Sequence, residues 1–465
     1  MGRILIKGGR VLALGKGHQE VKADILVDGA TITAMEPEII VEAEVVDASN
    51  AIVLPGFVDT HRHVWQTQLR TVATNWSLFD YFVEMRQGYS TFYTAEDAYI
   101  GNLVGALEAI DAGVTTLVDH CHILNTPEHA EEAISGLQDS GIRSIFCYGT
   151  FGNVPRVPMK VPADPAWRYE TARRIRRDRL SDDAALVRFG FAPAEAEAMS
   201  FADLATEIGI ARELGAAAIS CHAAIGHYAF GSSLVRKMHA KGLLGPDLLF
   251  VHGAAFTEVD LQMIRDAGAG VSATPETELQ MGMGFPVAHR AHASKVRTGL
   301  GVDIVSNYAG DMFMPMRLAL QSARAMRNEE IGARKRAPSR IQPDAASVLR
   351  MATLGGAESI RMDQHIGSLE VGKKADIVII DTGAIHMTPA FDAVGAVVLN
   401  ARPSDIGTVL INGRMVKRDG KLVGVDWPGL RTRVQQSADR IMQGFRTIDV
   451  KEIAAQARAR FPHLE

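Results

Sequence analysis

The chain has 465 residues, of which 47% are apolar, and its 49 basic and 54 acidic side chains give a formal charge of −5. This composition predicts a sizeable buried core and excludes a disordered chain, and no long run of one charge suggests a nucleic-acid or membrane-surface partner. We expect a cytoplasmic globular protein, because the chain lacks a run of roughly 18 apolar residues, a signal peptide, and enough cysteines (three) for a disulfide framework.

Both ends of the chain predict short β-strands separated by turns. Near the N-terminus these are ILIKGGRVLAL, ADILVDGATITAM and VVDASNAIVLPG, and after Gly367 they are ADIVIIDT, AVVLNA and TVLINGRMVKRDGKLVG. Each block is too short to bury a good sheet face alone. We therefore predict one small β-sandwich domain built from residues 1–58 and 365–427, with an independent domain at each end as the alternative.

The middle of the chain alternates strand-like and helical patterns. The strand-like runs number eight: AIVLPGFVD, TTLVDH, SIFCYG, VRFGFAP, AAISCH, LLFVHG, AGVSATP and TGLGVDI. Eight β/α units over about 300 residues predict an α/β fold, a (β/α)8 TIM-like barrel over residues 59–364. A doubly wound sheet is the alternative, but no glycine-rich phosphate-binding motif follows the first strand. Residues 428–465 predict a C-terminal helical segment.

Histidines and aspartates stand where several of these runs end. They lie in Asp59-Thr60-His61-Arg62-His63 and Asp119-His120-Cys121-His122, and at His222, His252 and Asp303. The carboxyl ends of barrel strands meet on one face, and His61 and His63 share one side of their strand. Three imidazoles and a carboxylate suit one Zn²⁺, Co²⁺ or Fe²⁺ ion. The alternative is a set of buried histidines bonded to the neighbouring backbone.

These residues, with their surroundings, resemble the amidohydrolase superfamily. The resemblance rests on LPGFVDTHRH, on His222 and His252, on GVDI at the eighth strand, and on ATLGGAESI followed by IGSLEVGKKADIVIID. Two further segments, FGFAPAEAEAMS and LQMGMGFPV, resemble the chlorohydrolase and deaminase branch known for atrazine and triazine degradation, which includes molinate hydrolase and the phenylurea hydrolases. The resemblance implies the barrel, the sandwich and a small-molecule substrate, and it makes a homo-oligomer the expected assembly.

The resemblance also implies roles for single residues. His61, His63, His222 and Asp303 would hold one divalent metal, and His252 would contact the metal or its water. The fourth strand carries no lysine, so the second metal of some relatives is not expected. A metal-activated water would attack an electrophilic carbon, Asp303 would pass its proton to the leaving nitrogen, and His252 would orient the nucleophile or stabilise the oxyanion.

The sequence departs from deaminases of this branch at the fifth strand. Their H-x-x-E glutamate is replaced in His222-Ala223-Ala224-Ile225, and Glu276 or Glu278 is either a substitute proton carrier or a solvated loop residue. Because ring deamination requires protonation of a ring nitrogen, the sequence favours hydrolysis of an amide, urea, carbamate or thiocarbamate C–N bond in a small apolar molecule. A deaminase of a purine, pyrimidine, pterin or triazine is the alternative, and an inactive binding homologue is disfavoured because the ligand set is complete.

Four residues are candidates for contacts with the substrate. They are Trp65, His122, Met283 and Glu276. Methionines after the seventh and eighth strands suggest an adaptable apolar pocket, although such clusters also pack cores. His120 and His122 either contact substrate or support the metal ligands.

Overall fold

A computed structural model describes residues 2–15, 20–229, 233–458 and 464. Eight parallel strands form a closed barrel, and the strands from the two ends of the chain form a separate nine-stranded sheet. The predicted α/β fold class is therefore confirmed. Among the described residues, no helix is both long enough and apolar enough to cross a membrane.

The barrel strands coincide with the eight apolar runs of the sequence. They are β6 (Phe57–Arg62), β7 (Val114–Cys121), β8 (Arg143–Gly149), β9 (Val187–Ala192), β10 (Ile219–Ala223), β11 (Leu248–His252), β12 (Gly270–Ala273) and β13 (Arg297–Leu300). Their order around the barrel follows the chain, and β13 closes the ring by pairing with β6. Nearly every residue of these strands is buried, which explains why the sequence shows continuous apolar runs rather than alternation.

Helices cover the outside of the barrel and extend beyond it. They are α1 (Leu78–Asp80), α2 (Ala95–Asp111), α3 (Pro127–Ser140), α4 (Trp167–Asp178), α5 (Phe201–Glu213), α6 (Leu234–Ala240), α7 (Glu258–Asp266), α8 (Pro275–Gln280), α9 (Ala288–Ala293), α10 (Phe313–Ala333), α11 (Ala345–Met351), α12 (Leu354–Ser359), α13 (Ala393–Gly395), α14 (Trp427–Phe445) and α15 (Val450–Arg458). The sequence sets several of their ends. At the start of α2, Thr94 and Asp97 form a reciprocal capping box, and α3 stops at Gly141 with φ of 75°.

The terminal sheet combines strands from both ends of the chain. Its strands are β1 (Arg3–Leu12), β2 (Glu20–Asp28), β3 (Thr31–Glu36), β4 (Glu44–Asp47), β5 (Ala51–Pro55), β14 (Ile377–Asp381), β15 (Ile406–Ile411), β16 (Arg414–Arg418) and β17 (Lys421–Leu422). The sheet centre is β5, which pairs parallel to β1 and antiparallel to β14. The predicted hairpin turns are present, since Asn412 and Asp419 both have positive φ angles and precede glycines that do the same.

One predicted strand is wrong. The run AVVLNA forms a π-helical turn over Ala396–Asn400, not a strand. Val397 and Val398 are fully buried, and the Arg317 guanidinium donates hydrogen bonds to the carbonyl oxygens of Val398 and Ala401. A short β-branched run signals burial but does not distinguish a strand from a buried helical turn.

The chain first crosses from the terminal sheet to the barrel through a single residue, Gly56, between β5 and β6. A Cβ added at Gly56 would lie 2.1 Å from the Thr115 side chain, so only glycine fits this crossing. The first barrel strand, which carries the His61 and His63 motif, is thereby continuous with the centre of the sheet.

The C-terminal helices pack behind the loop that follows β6. Phe445 of α14 stacks on Tyr89 at 3.7 Å between ring centroids, and α15 packs on Phe79 and Val83. Within the predicted C-terminal segment, 428–465, the structure has the helices α14 and α15, while residues 459–463 and 465 lie outside the described residues.

Candidate active site

A cavity opens at the carboxyl ends of the barrel strands. It encloses about 420 Å³, mouth included, and an apolar wall faces its polar floor. The wall consists of Leu78, Phe82, Ile225, Met281, Met283 and Ile304. The floor and its rim consist of His63, Tyr81, His122, Glu195, His222, His252, Thr277 and Asp303.

Three of the predicted metal ligands converge at this floor. Ligand atoms of His61, His63 and His222 lie within 4.8 Å of one another. The Asp303 Oδ1 atom lies 3.3 Å from His61 Nε2 and 3.4 Å from His63 Nε2. The structure thus brings together all four residues that the sequence predicted as ligands.

Hydrogen bonds at Nδ1 orient the imidazoles of His63 and His222 so that Nε2 can bind a metal. The Nδ1–H of His63 donates to the carbonyl oxygen of His120 at 2.7 Å, and the Nδ1–H of His222 donates to Glu195 Oε2 at 3.1 Å. Because Nδ1 of each ring donates in this way, Nε2 is the nitrogen left to bind a metal. Partners of this kind orient metal-binding histidines and raise their basicity.

The donor set fits a divalent cation. The Nε2 atoms of His61 and His222 are only 3.4 Å apart, and the Asp303 carboxylate lies beside them, an arrangement that a shared positive charge stabilises. His61 Nδ1 is buried and has no hydrogen-bond partner among the described residues. Three nitrogens and one oxygen are the ligands of a borderline ion such as Zn²⁺.

Burial keeps His61 and His63 neutral. It lowers the pKa of His61 to about 4 and holds the pKa of His63 well below its usual range. Burial by itself would raise the pKa of Asp303, but the hydrogen bond and charge of His61, with further contributions from His252 and His63, keep that pKa far below normal. At neutral pH the site therefore has free imidazole lone pairs and an ionised carboxylate, as ligation requires.

His252 and Asp303 occupy strained backbone positions at the ends of their strands. Their φ angles are 74° and 71°, in the left-handed region that residues with a side chain rarely adopt. Hydrogen bonds hold Asp303 there, since its N–H donates to the carbonyl of His61 and its own carbonyl accepts from His63 N–H. Such strain is common where a fold fixes a reactive side chain.

A buried carboxylate supports His252 from behind. The Glu278 side chain is fully buried, and its Oε1 atom lies 3.7 Å from His252 Nδ1 and accepts a hydrogen bond from the Thr274 N–H. Thr274 Oγ1 itself lies 2.8 Å from His252 Nδ1. The interpretation of Glu278 as a solvated loop residue is therefore wrong, because α8 turns this side chain into the barrel.

The four candidate substrate contacts have different positions. His122 and Met283 line the cavity. Trp65 is fully buried behind His122, and the described cavity lining does not include it. Glu276 is also outside that lining, and part of its side chain is buried near Asp311.

Sequence reasoning missed Glu195 and Tyr81. Glu195 lies three residues past β9, so its position after a strand end was an available signal. Tyr81 belongs to a π-helical turn, Tyr81–Arg86, in the long loop after β6, where no periodic pattern exists. The Tyr81 hydroxyl accepts a hydrogen bond from the Gln66 side chain at 2.7 Å, and burial raises the pKa of Tyr81, so it lines the cavity as a neutral phenol.

The Glu276→Gln variant should be more stable than the parent protein at pH 8 and nearly unchanged at pH 4.5. Burial, and then the charge of Asp311, raises the pKa of Glu276 from 4.5 to about 8. Between these values the unfolded chain ionises while the folded protein stays protonated, so stability falls as the pH rises. Glutamine removes this loss, which amounts to on the order of a few kcal/mol.

Thermal unfolding of both proteins across this pH range measures the effect. Glu329→Gln, at an exposed glutamate of α10, is the control, and its unfolding temperature should equal that of the parent protein at both pH 4.5 and pH 8. A Glu276→Gln shift of equal size at pH 4.5 and pH 8 would contradict the prediction.

Several proteins are similar to this chain over nearly its full length. A 5-methylthioadenosine/S-adenosylhomocysteine deaminase of Symbiobacterium thermophilum is 27% identical over 95% of this chain and 100% of its own length. A 5'-deoxyadenosine deaminase of Methanosarcina barkeri is 25% identical over 95% of this chain and 99% of its own.

Solved structures share the fold. An adenosine deaminase from Xanthomonas campestris with bound zinc superposes with a TM-score of 0.83 at 23% identity, covering 95% of this chain and 98% of its own. An atrazine chlorohydrolase from Arthrobacter aurescens TC1 in complex with zinc has a TM-score of 0.77 at 19% identity, covering 94% of this chain and 100% of its own. The predicted resemblance to the chlorohydrolase and deaminase branch is confirmed.

The family model for amidohydrolases matches residues 52–416. This range begins in β5, contains the whole barrel with its histidine-rich floor, and ends in β16. The chain belongs to the amidohydrolase family and is a metal-dependent hydrolase of C–N bonds.

Proposed function

We propose that this protein is a hydrolytic deaminase that replaces the amino group of an aminated N-heterocycle with oxygen. The observation that carries the proposal is the Glu195 carboxylate on the cavity wall beside His222. Ring deamination needs an acid for a ring nitrogen, and the H-x-x-E position that supplies it in related deaminases is Ile225 here. Burial raises the pKa of Glu195, but the charge and hydrogen bond of His222 outweigh burial and keep that pKa below its usual value, so Glu195 offers a carboxylate just past β9. It would take the second proton of the attacking water and pass it to the ring nitrogen.

The sequence alone favours hydrolysis of an amide, urea, carbamate or thiocarbamate, because the H-x-x-E glutamate is missing. Two findings favour the alternative. The relatives that match nearly the full chain are named as deaminases of adenine nucleosides, and the cavity contains a carboxylate that the motif lacks. The apolar side chains of the cavity, Leu78, Phe82, Ile225, Met281, Met283 and Ile304, suit the flat faces of a heterocycle.

The proposed chemistry assigns a task to each side chain. One divalent ion, held by His61, His63, His222 and Asp303, would lower the pKa of water so that it attacks at neutral pH. Asp303 accepts the proton of that water and passes it to the departing amino group. His252, fixed by Thr274 and Glu278, donates a hydrogen bond to the developing oxyanion. The apolar wall with Met281 and Met283 packs against the heterocycle and excludes water.

A second function has one observation in its favour. Ile225 makes the cavity wall apolar where deaminases of the branch carry their acid. Hydrolysis of an amide, urea, carbamate or thiocarbamate needs no ring protonation, and Asp303 alone could transfer the protons.

Mass spectrometry of reaction products distinguishes the two functions. The zinc-loaded protein is incubated with aminated purines, pyrimidines, pterins and triazines and, in parallel, with anilides, phenylureas, carbamates and thiocarbamates. We expect an amino group to be exchanged for oxygen, with release of ammonia. Cleavage into an amine and an acid fragment, with no ammonia from any heterocycle, would establish the second function instead.

The Glu195→Gln variant should lose about 100-fold in kcat while it keeps its metal. A glutamine oxygen still accepts the His222 Nδ1–H, so the ligand stays oriented, but the amide cannot take up a proton and deliver it to the ring nitrogen. Steady-state kinetics on the substrate found above, with metal content by mass spectrometry, measure both properties. Glu213→Gln, at an exposed glutamate of α5, is the control. Full activity of Glu195→Gln would remove Glu195 from the mechanism.

A further inference from the structure

We infer that Trp65 fixes His122 in the tautomer that carries its proton on Nε2, so that His122 presents a hydrogen-bond donor to the substrate. This inference rests on the proposed function and narrows its substrate class. The substrate must present a lone pair to His122, such as that of an unprotonated ring nitrogen or a carbonyl oxygen. His122 directly follows the second barrel strand, β7, which carries none of the four proposed metal ligands.

The contact between the two side chains determines the tautomer. The Trp65 indole Nε1–H lies 3.1 Å from His122 Nδ1, and both side chains are buried. An indole nitrogen can only donate a hydrogen bond, so Nδ1 of His122 must accept it and carries no proton. A neutral imidazole with an unprotonated Nδ1 has its proton on Nε2. If His122 were an imidazolium, its Nδ1–H would point at the Trp65 Nε1–H, and neither group could accept a hydrogen bond in this buried contact.

Surrounding contacts fix both members of the pair. The His122 ring stacks on His63 with centroids 3.9 Å apart and planes 13° from parallel, and its backbone carbonyl accepts a hydrogen bond from Arg86 at 3.0 Å. Trp65 packs edge-on against Tyr93, whose hydroxyl donates to the Trp65 carbonyl at 3.1 Å. The tautomer is therefore set by the protein before a substrate arrives.

The free nitrogen of His122 faces the substrate space. His122 borders the cavity, and among the residues that the structure describes no side chain or backbone group bonds to its Nε2 atom. A ligand that leaves this N–H unpaired would lose about tenfold in affinity. His122 consequently selects substrates with an acceptor in a cavity whose lining also includes the apolar side chains of Leu78, Phe82 and Met283.

Nitrogen NMR tests the tautomer without any substrate. In zinc-loaded protein labelled with ¹⁵N-histidine, the signals of His122 are assigned by their loss in the His122→Phe variant. We expect the pattern of a neutral ring with its proton on Nε2, and we expect Trp65→Phe, which removes the indole donor, to shift that pattern. Protonation on Nδ1 in the parent protein would overturn the inference, and this outcome does not depend on the proposed reaction.

Paired ligands test the acceptor. Adenine and its 1-deaza, 3-deaza and 7-deaza analogues, each with one ring nitrogen replaced by C–H, are titrated into zinc-loaded parent protein and into His122→Phe. We expect one analogue to bind the parent about tenfold more weakly than adenine, and that difference to vanish in His122→Phe and to return in His122→Gln, which keeps an N–H donor.

The outcomes separate this inference from the proposed function. If the analogues bind but His122→Phe leaves every difference unchanged, His122 does not select an acceptor and the inference is wrong. If none of the four bases binds, a purine substrate is excluded, and the NMR result decides the assignment of His122.

Discussion

Asp303→Asn should lower kcat by about 1,000-fold or more and leave the fold intact. The carboxylate lies 3.3 and 3.4 Å from the Nε2 atoms of His61 and His63, and asparagine keeps its shape while removing the charge and the basic oxygen. Loss of a positioned base costs 10²- to 10⁴-fold, and a weakened metal adds to it. The backbone should not move, because main-chain hydrogen bonds to His61 and His63 hold residue 303.

Activity, metal content and circular dichroism of the purified variant measure these effects together. The matched control is Asp419→Asn, at an exposed turn residue where asparagine also tolerates a positive φ. An Asp303→Asn protein that retains most of its activity would refute the assignment of Asp303 as ligand and base.

Arg62→Met should produce the largest loss of stability among single substitutions near the site, about 3–5 kcal/mol. The Arg62 guanidinium is buried, donates to Asp59 Oδ2 at 2.8 Å and donates to the Gly310 carbonyl at 2.6 Å. Asp59 is also buried, and it accepts hydrogen bonds from the N–H groups of His61 and Val302. Methionine fills the space of arginine but leaves the Asp59 charge without its cation.

Denaturant unfolding of metal-free protein isolates this effect from metal binding. The double variant Asp59→Asn/Arg62→Met should recover part of the loss, since no buried charge remains. Arg3→Met breaks an exposed pair with Asp28 and should cost less than about 1 kcal/mol. If Arg62→Met and Arg3→Met were equally mild, the buried pair would contribute no more than a surface pair.

The barrel could be predicted from the sequence because its strands are buried on both faces. That burial requires continuous apolar runs, and β7 (VTTLVDHC) shows one that ends just before His122 at the cavity. The same logic failed at Ala396–Asn400, where an equally apolar run packs as a π-helical turn. An apolar run indicates burial but does not determine the backbone conformation. At Ala396–Asn400, Arg317 of α10 donates hydrogen bonds to the carbonyl oxygens of the helical turn and of the residue after it.

The ligand set of the site could be predicted for a similar reason, since His61, His63, His222 and Asp303 all stand at strand ends. The positions of Leu78, Tyr81 and Phe82 in the cavity lining could not be predicted, because these residues come from the segment after β6, which packs against the C-terminal helices. Glu278 was ambiguous because its short helix, α8, has exposed neighbours at Leu279 and Gln280. Only the tertiary structure shows that Glu278 is fully buried while Glu276 is partly exposed.

The central position of β5 has a consequence for synthesis on the ribosome. One neighbour of β5, the strand β1, precedes it, but the other, β14, begins only at Ile377. During translation one edge of the apolar β5 therefore stays unpaired until the entire barrel has been synthesised. A nascent chain that stops before Ile377 would expose this edge directly beside the strand of His61 and His63. The edge of β5 is therefore paired only in chains that include β14. We expect truncated chains that lack β14 to aggregate or to bind chaperones.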